Sequence, residues 1–128
     1  MTAGAGAAAV TGMGIAGCSN EQDLAEGHIQ HGVIFSLTYP ADSAVASKFL
    51  EDGRRILTAI PVVREFQVFR QVSQKNEYDF GFTMVFGSKE DYTTYNEHPD
   101  HKDFVENRWM KEVEKFLEID FETVPVPK

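Results

Sequence analysis

The chain is poor in the residues that build disulfide frameworks, cysteine-rich zinc sites and nucleic-acid-binding surfaces. Its 128 residues include one cysteine, Cys18, which excludes an intramolecular disulfide and a zinc site built from several cysteines. Only 12 lysines and arginines stand against 20 aspartates and glutamates, giving a net charge of -8, so a nucleic-acid partner is not expected. The composition, with 42% hydrophobic residues and ten phenylalanines, is that of one globular domain stabilised by packing.

The first 27 residues differ from the rest. Residues 2–20 carry no charge, are mostly small and apolar, and contain Ile-Ala-Gly directly before Cys18. This stretch resembles a bacterial export signal with a lipobox, although the usual opening Lys or Arg is missing. The alternative is a Gly/Ala-rich tail with an incidental cysteine. We expect either a lipoprotein of the cell envelope, touching the membrane only through a lipid on Cys18, or a cytoplasmic protein.

The hydrophobic pattern predicts one domain at 28–124, preceded by a polar linker at 21–27 and followed by a tail at 125–128. Within the domain the apolar spacing changes between a period of two and that of a helix. The predicted elements are a strand at 31–37, a helix at 43–60, strands at 63–72 and 78–86, a helix from 88, a longer helix after 99 whose apolar stripe reaches 117, and a strand at 118–123.

This order predicts an α+β, ferredoxin-like (split βαβ) fold, a four-stranded antiparallel sheet with helices on one face. A domain of about 100 residues has only enough helix to cover one side of such a sheet. Phe80, Phe82 and Phe86, or their counterparts, would then form an exposed apolar patch too large for a stable monomer. We therefore expect a homodimer, a dimeric α/β barrel whose two sheets pack about a twofold axis.

Two of the four histidines lie in the segment from Tyr95 to His101. Because Pro99 is tolerated in the first turn of a helix and restricts the residue before it, His98 is expected at a helix junction and His101 one turn later. The positive end of the helix dipole would keep a nearby imidazole neutral, as a general base requires. The structural alternative is that His98 caps the helix and His101 binds a backbone carbonyl.

Three further features have more than one interpretation. Gly53 costs about 1 kcal/mol relative to Ala inside a helix, which indicates close packing or a pocket wall. His31, His98 and His101 could share a zinc or iron ion with a nearby aspartate, but Pro99 breaks the regular spacing and we expect no metal. Tyr92, at helical spacing, is expected in the core.

Together these residues resemble the stress-responsive α/β-barrel (Dabb) family over about 28–123. The resemblance rests on the following features: His31 opening the first strand, Ile60-Pro61-Val62, the aromatic strand from Tyr78 to Phe86, Ser88 to Tyr92, His-Pro-Asp-His at 98–101, and the closing Asp120-Phe121. It implies a dimeric barrel of ferredoxin-like subunits. It does not imply one function for every member.

One branch of this family, the plant polyketide cyclases, closes a ring by an aldol reaction without metal or organic cofactor. The resemblance implies that His101 is a catalytic base that removes a proton next to a carbonyl, that Tyr95 donates a hydrogen bond to the oxyanion, and that no cofactor is needed. His31 and His98 match further positions of the motif, and Gly53 stands where the cyclases have a pocket tyrosine. We expect these three residues to contact a small apolar or aromatic ligand, with a noncatalytic envelope scaffold as the alternative.

Overall fold

The computed structural model describes residues 23–127, so Cys18 and the predicted leader lie outside the described residues. The strands are β1 (Ile29–Leu37), β2 (Arg64–Arg70), β3 (Phe80–Phe86) and β4 (Val113–Phe121). The helices are α1 (Ala44–Thr58), α2 (Lys89–Glu97), α3 (Pro99–Phe104) and the short α4 (Met110–Glu112), with a π-helical turn, Val105–Trp109, between the last two. None of the helices in this part of the chain is long and apolar enough to cross a membrane.

The four strands form one antiparallel sheet in the order β2-β3-β1-β4. The two central strands, β1 and β3, are the most deeply buried, and Val33 of β1 lies opposite Phe82 of β3 and Glu118 of β4. Helices cover one face of this sheet. The predicted α+β, ferredoxin-like architecture is therefore confirmed.

Strict alternation along β1 and β3 builds the core beneath the helices. Side chains two residues apart share a face of a sheet, and Phe35 packs edge-on against Phe82 with ring centroids 4.9 Å apart. From the helix side, Phe49 and Trp109 complete this aromatic cluster. The helices begin where the sequence predicts, because the Ser43 hydroxyl accepts from the Ala46 N–H and the Ser88 hydroxyl from the Asp91 N–H.

The predicted long helix after Pro99 is wrong in its extent. Helical structure ends at Glu112, and Val113, Phe116 and Leu117 belong to β4 instead of an apolar helix stripe. Their spacing fits a helix locally, but as a strand this segment pairs with β1 along nearly its whole length. The gain from this long-range pairing, which local spacing does not contain, decides the structure.

The assignment of the exposed apolar patch is also corrected. Phe80, Phe82 and Phe86 are at most 2% exposed, because their face of the sheet is the one beneath the helices. Their counterparts lie on the opposite face, which the helices of residues 23–127 leave uncovered. The large apolar side chains of this open face, each about half exposed, are Phe69, Leu117, Ile119 and Phe121.

Two smaller predictions shift by one or two residues. The apolar spacing within the predicted helix at 43–60 places Val45 on its buried stripe, but Val45 is half exposed, and Ala46 and Leu57 lie in the core instead. Val72 was expected in the second strand, yet β2 ends at Arg70 and Val72 is exposed. A bulge at Glu65, whose φ is 52°, shifts the pairing register of β2 against β3.

Candidate functional site

The helix junction has the geometry expected from the sequence. His98 ends α2 and begins α3 with extended backbone angles (φ -65°, ψ 136°), and Pro99 occupies the first turn of α3. The His98 Nδ1 atom accepts a hydrogen bond from the Asp100 backbone N–H at 3.1 Å. His98 is therefore the N-cap of α3, the structural role that the sequence left open for it.

His101 lies one turn into α3 with its Nδ1 atom 3.2 Å from the Asn96 carbonyl oxygen. A carbonyl can only accept, so Nδ1 carries the proton and Nε2 remains as an acceptor in the neutral ring. Burial lowers the pKa of His101, while the Asn96 hydrogen bond opposes this shift. The imidazole is thus neutral near pH 7, mainly because it is desolvated, whereas the sequence argument relied on the helix dipole.

Tyr95 packs directly against His101, with ring centroids 4.2 Å apart. The residue is 3% exposed, and burial raises its pKa, with the neighbouring Tyr92 and Glu118 acting in the same direction. Its phenol therefore stays protonated throughout the physiological range and can donate a hydrogen bond.

A cavity of about 230 Å³ lies between the sheet and the helices that follow the junction. His31, Tyr95, Asn96, His101 and Glu118 contribute its polar groups. Apolar side chains form the rest of the wall: Val33, Leu57, Phe82, Met84, Phe104, Val105, Trp109, Met110 and Phe116. A mainly apolar cleft with a few convergent polar groups is the form that small-molecule sites take in proteins.

The structure brings together three of the five predicted pocket residues. His31, Tyr95 and His101 line the cavity, but His98 and Gly53 are not among its lining residues. Gly53 instead lies behind the cavity wall, where a Cβ atom would stand 2.9 Å from Cζ of Phe82. The close-packing interpretation of this glycine is the one that the structure supports.

Sequence reasoning missed two side chains that hold His31. Its Nδ1 atom lies 2.6 Å from Oδ1 of Asp120, and the Tyr92 hydroxyl lies 3.0 Å from the same nitrogen. The Tyr92 hydroxyl also reaches both carboxylate oxygens of Asp120, at 3.2 and 3.0 Å. Tyr92 was expected in the core, and it is only partly buried. The pairing of β4 with β1 places Asp120 directly opposite His31, and this register is what could have identified Asp120 as its partner.

The wall formed by Trp109 is held by an ion-pair cluster. Asp52 of α1 is 5% exposed and accepts a hydrogen bond from Arg108 at 2.8 Å, with Lys48 and Arg55 also within ion-pair distance. Arg108 belongs to the π-helical turn and also bonds Glu112. This cluster ties α1 to the turn that presents Trp109 to the cavity.

Within residues 23–127, no group of three His, Cys, Asp or Glu side chains is arranged to hold a metal ion. The three histidines considered as ligands are instead used separately: His31 bonds Asp120, His98 caps a helix and His101 bonds a carbonyl.

Comparison with known proteins places this geometry in a family. The model of the stress-responsive A/B barrel domain matches residues 29–123. A Dabb family protein of ferredoxin-like fold from Mesorhizobium loti is similar at 48% identity and a TM-score of 0.75, covering 80% of this chain and 100% of that one. The comparison with curated proteins finds no match.

More distant solved structures share the fold. A dimeric ferredoxin-like protein of unknown function from Thermobifida fusca is 14% identical, with a TM-score of 0.65 and coverage of 80% of this chain and 96% of that one. Hydroxynitrile lyase from Passiflora edulis is 11% identical, with a TM-score of 0.69 and coverage of 81% and 100%. The family model spans most of the described chain and the bacterial relative is nearly half identical, so this chain belongs to the stress-responsive α/β-barrel (Dabb) family.

Proposed function

We propose that the protein binds a small apolar or aromatic carbonyl compound in the cavity and catalyses cofactor-free acid/base chemistry of the cyclase or lyase type. The observation that carries this proposal is the pairing of a neutral, desolvated His101 with a protonated Tyr95 at the wall of a cavity of about 230 Å³. One group is suited to accept a proton and the other to donate a hydrogen bond.

The reaction would begin with removal of a proton from the carbon next to the carbonyl by Nε2 of His101. Negative charge then develops on the carbonyl oxygen, where the Tyr95 hydroxyl would stabilise it. Aromatic walls from Phe82, Phe104 and Trp109 favour a flat apolar ligand. His31 would contact the polar end of the same ligand.

The hydroxynitrile lyase neighbour supports lyase chemistry as one direction of this proposal. That protein shares the fold at a TM-score of 0.69, although only 11% of its residues are identical. Fold likeness of this kind does not transfer an activity. The likeness to this lyase is a reason to test carbonyl chemistry first.

The test is the exchange of the α-protons of 4′-fluoroacetophenone into deuterated water, followed by ¹H NMR, with binding measured by ¹⁹F NMR. We expect the wild-type protein to accelerate exchange, His101→Ala to lose about 100-fold or more of that acceleration, and Tyr95→Phe to lose about tenfold. His28→Ala is the matched control, since His28 lies outside the cavity lining and its loss should leave exchange unchanged.

Circular dichroism and thermal melts of each variant separate chemistry from folding. Lost exchange with an unchanged melting temperature supports the proposal. Binding of the ketone without exchange would support the ligand-binding part of the proposal and contradict its catalytic part. The noncatalytic scaffold is favoured if wild-type protein neither binds the probe nor accelerates exchange and His101→Ala lowers stability, because the His101 bond to the Asn96 carbonyl is also what a structural histidine makes.

The protein is further proposed to be a homodimer that buries the open face of its sheet. About half of each of the large apolar side chains Phe69, Leu117, Ile119 and Phe121 is exposed there. Gly32 and Gly81 leave a groove of about 170 Å³ between them, which side chains of a second sheet would fill. The Thermobifida fusca protein of the same fold is described as dimeric.

The proposed location is the cell envelope, through a lipid on Cys18, with the cytoplasm as the alternative. The support is the apolar segment before Cys18 in the sequence. Mass spectrometry of the protein expressed at its full length in a bacterium tests this. A mature chain beginning with acylated Cys18 supports the proposal, and an intact unmodified chain in the soluble fraction contradicts it.

A further inference from the structure

His31 is a second imidazole in the cavity, and the chemistry proposed for His101 does not use it. The ring is buried, with 6% of its side chain exposed, and its centroid lies 6.2 Å from that of Tyr95, the residue that also packs against His101. A buried histidine bonded to a carboxylate is the arrangement by which proteins fix one tautomer of an imidazole.

The contacts of Nδ1 determine where the proton sits on the neutral ring. Asp120 can only accept, and its Oδ1 atom is 2.6 Å from Nδ1, so Nδ1 is the donor. The Tyr92 hydroxyl then donates to the carboxylate and holds it in place, at 3.0 Å from Oδ2. The Nε2 atom of His31 is left with a free lone pair.

The Nε2 atom is on the cavity side of the ring. It lies 3.9 Å from the Glu118 carboxylate, which belongs to the cavity lining together with His31 itself. Asp120, on the other side of the ring, has 42% of its side chain exposed. The imidazole thus stands between two carboxylates of β4, Asp120 at Nδ1 and the more distant Glu118 at Nε2, and both carboxylates are in contact with water.

We propose that His31 exchanges a proton with a ligand hydroxyl through Nε2, and that Asp120 and Tyr92 are positioning residues which hold it in the Nδ1–H tautomer. This inference rests on the proposed function and narrows its ligand to a compound that carries, or gains, a hydroxyl group. Phenols and β-hydroxycarbonyl compounds are the classes that fit.

In an aldol addition the C–H bond next to the carbonyl breaks and its proton goes to Nε2 of His101, the new C–C bond forms with that electron pair, and the second carbonyl oxygen becomes an alkoxide. Nε2 of His31 takes a proton from a water molecule and passes it to this alkoxide, and the hydroxide left by that water takes the proton from His101, so both rings end neutral and no net proton is released. In the cleavage direction neutral Nε2 takes the proton of the ligand hydroxyl, and Asp120 stabilises the imidazolium that forms.

The test is ¹⁵N NMR of the histidine-labelled, ligand-free protein at a pH where the imidazoles are neutral. We expect the wild-type His31 to show a protonated Nδ1 and an unprotonated Nε2. Asp120→Asn should move the tautomer ratio toward Nε2–H by about tenfold or more, because the new amide can donate to Nδ1. Tyr92→Phe should move it in the same direction by less.

Glu118→Gln is the control, since it changes the neighbour of Nε2 and leaves the Nδ1 contact intact. The tautomer assignment is overturned if wild-type His31 carries its proton on Nε2, or if Asp120→Asn changes nothing while the fold is kept. Addition of phenol as a probe should shift the Nε2 resonance of the wild-type protein, and an unmoved resonance at saturating phenol overturns the hydroxyl assignment. Because the tautomer is read without ligand, its outcome is independent of the ketone exchange assay.

Discussion

The two faces of the sheet are built from the same strands and differ in almost everything else. On the helix-covered face, Val33, Phe82 and Met84 are at most 8% exposed and form the floor of a cavity. On the open face, Ile119 and Phe121 are about half exposed and flank two glycines. One face is packed tightly enough to hold a polar site in fixed geometry, whereas the other presents apolar side chains that the described residues leave about half exposed.

The proposed chemistry and the proposed self-association thus use opposite faces of one small sheet. Period-two alternation sends neighbouring residues to opposite faces, so Glu118 reaches the cavity while Ile119 lies on the open face. A substitution on one face should therefore leave the other unchanged if the faces are independent. Substitutions confined to one face, with the properties of both faces measured, test this independence.

The largest effect is expected from Ile119→Asp on the open face. A carboxylate buried at the centre of a sheet-to-sheet contact, and repeated in both copies, should weaken self-association by about 100-fold or more. Size-exclusion chromatography with light scattering would detect the change from dimer to monomer.

Val45→Asp is the matched control for that experiment. Val45 is exposed to the same degree as Ile119 but lies on α1, away from the open face. Equal loss of association in both variants, or a wild-type protein that is already a monomer at micromolar concentration, would contradict the proposed interface.

The next effect is expected from Asp52→Asn, which acts on the helix-covered face. The hydrogen bond from Arg108 lowers the pKa of Asp52 to about 2, although burial opposes this shift. Loss of a buried, charge-assisted hydrogen bond should lower the free energy of unfolding by about 2 kcal/mol at pH 7. Urea denaturation measures this, and Glu51→Gln, an exposed neighbour on the same helix, should change stability little.

The pH dependence of the same pair has a definite sign. The folded-state pKa of Asp52 lies below its unfolded value of about 3.9, so its stabilisation is present above that value and is lost as the pH falls toward 2. Asp52→Asn should therefore show a shallower loss of stability over this range than the wild type. Parallel curves for the two proteins would show that Asp52 is not held by Arg108 in solution.

How far the sequence predicts this structure depends on the range over which each signal acts. The caps at Ser43 and Ser88, the junction at His98 and Pro99, and the alternation of β3 are local patterns, and the structure has them all. The end of the last helix was misplaced because the apolar residues after Glu112 suit a helix and a strand equally well. Only pairing with β1 distinguishes the two.

The candidate site divides in the same way. Tyr95 and His101 are six residues apart around a proline, so their proximity follows from the local sequence. The bond between His31 and Asp120 joins residues 89 positions apart, and it needs the exact register of β1 against β4. The cavity itself depends on where α1, the π-helical turn and the sheet meet, which no short segment of the chain specifies.

A smaller effect is expected from Gly53→Ala, which tests how tightly the helix-covered face is packed. The new Cβ atom would lie 2.9 Å from the buried Phe82 ring, and overpacking of about 2 kcal/mol outweighs the roughly 1 kcal/mol that Ala gains over Gly in a helix. We expect a net loss of about 1 kcal/mol in urea denaturation. Phe82→Leu should relieve the clash in the double variant.

Gly81→Ala is the corresponding substitution for the open face. Its Cβ atom would meet Ile34 and the Val33 carbonyl at 3.6 Å, an ordinary contact distance. In the monomeric Ile119→Asp background we therefore expect unchanged or slightly higher stability, since Ala is favoured over Gly in a strand. Equal destabilisation by Gly53→Ala and Gly81→Ala would mean that the two faces are packed alike.

The smallest effect is expected from the ionisation of His101. Burial holds the pKa of His101 below its unfolded value of about 6.5, so the unfolded chain binds a proton more readily than the folded one. Stability should therefore rise with pH up to about 6.5 on account of this residue and then level off. His101→Gln should flatten that rise, while His28→Gln, at a residue outside the cavity lining, should keep it. NMR titration of the four histidines gives the direct measurement, and a His101 pKa at or above that of an unfolded peptide would remove the neutral base on which the chemistry of the helix-covered face depends.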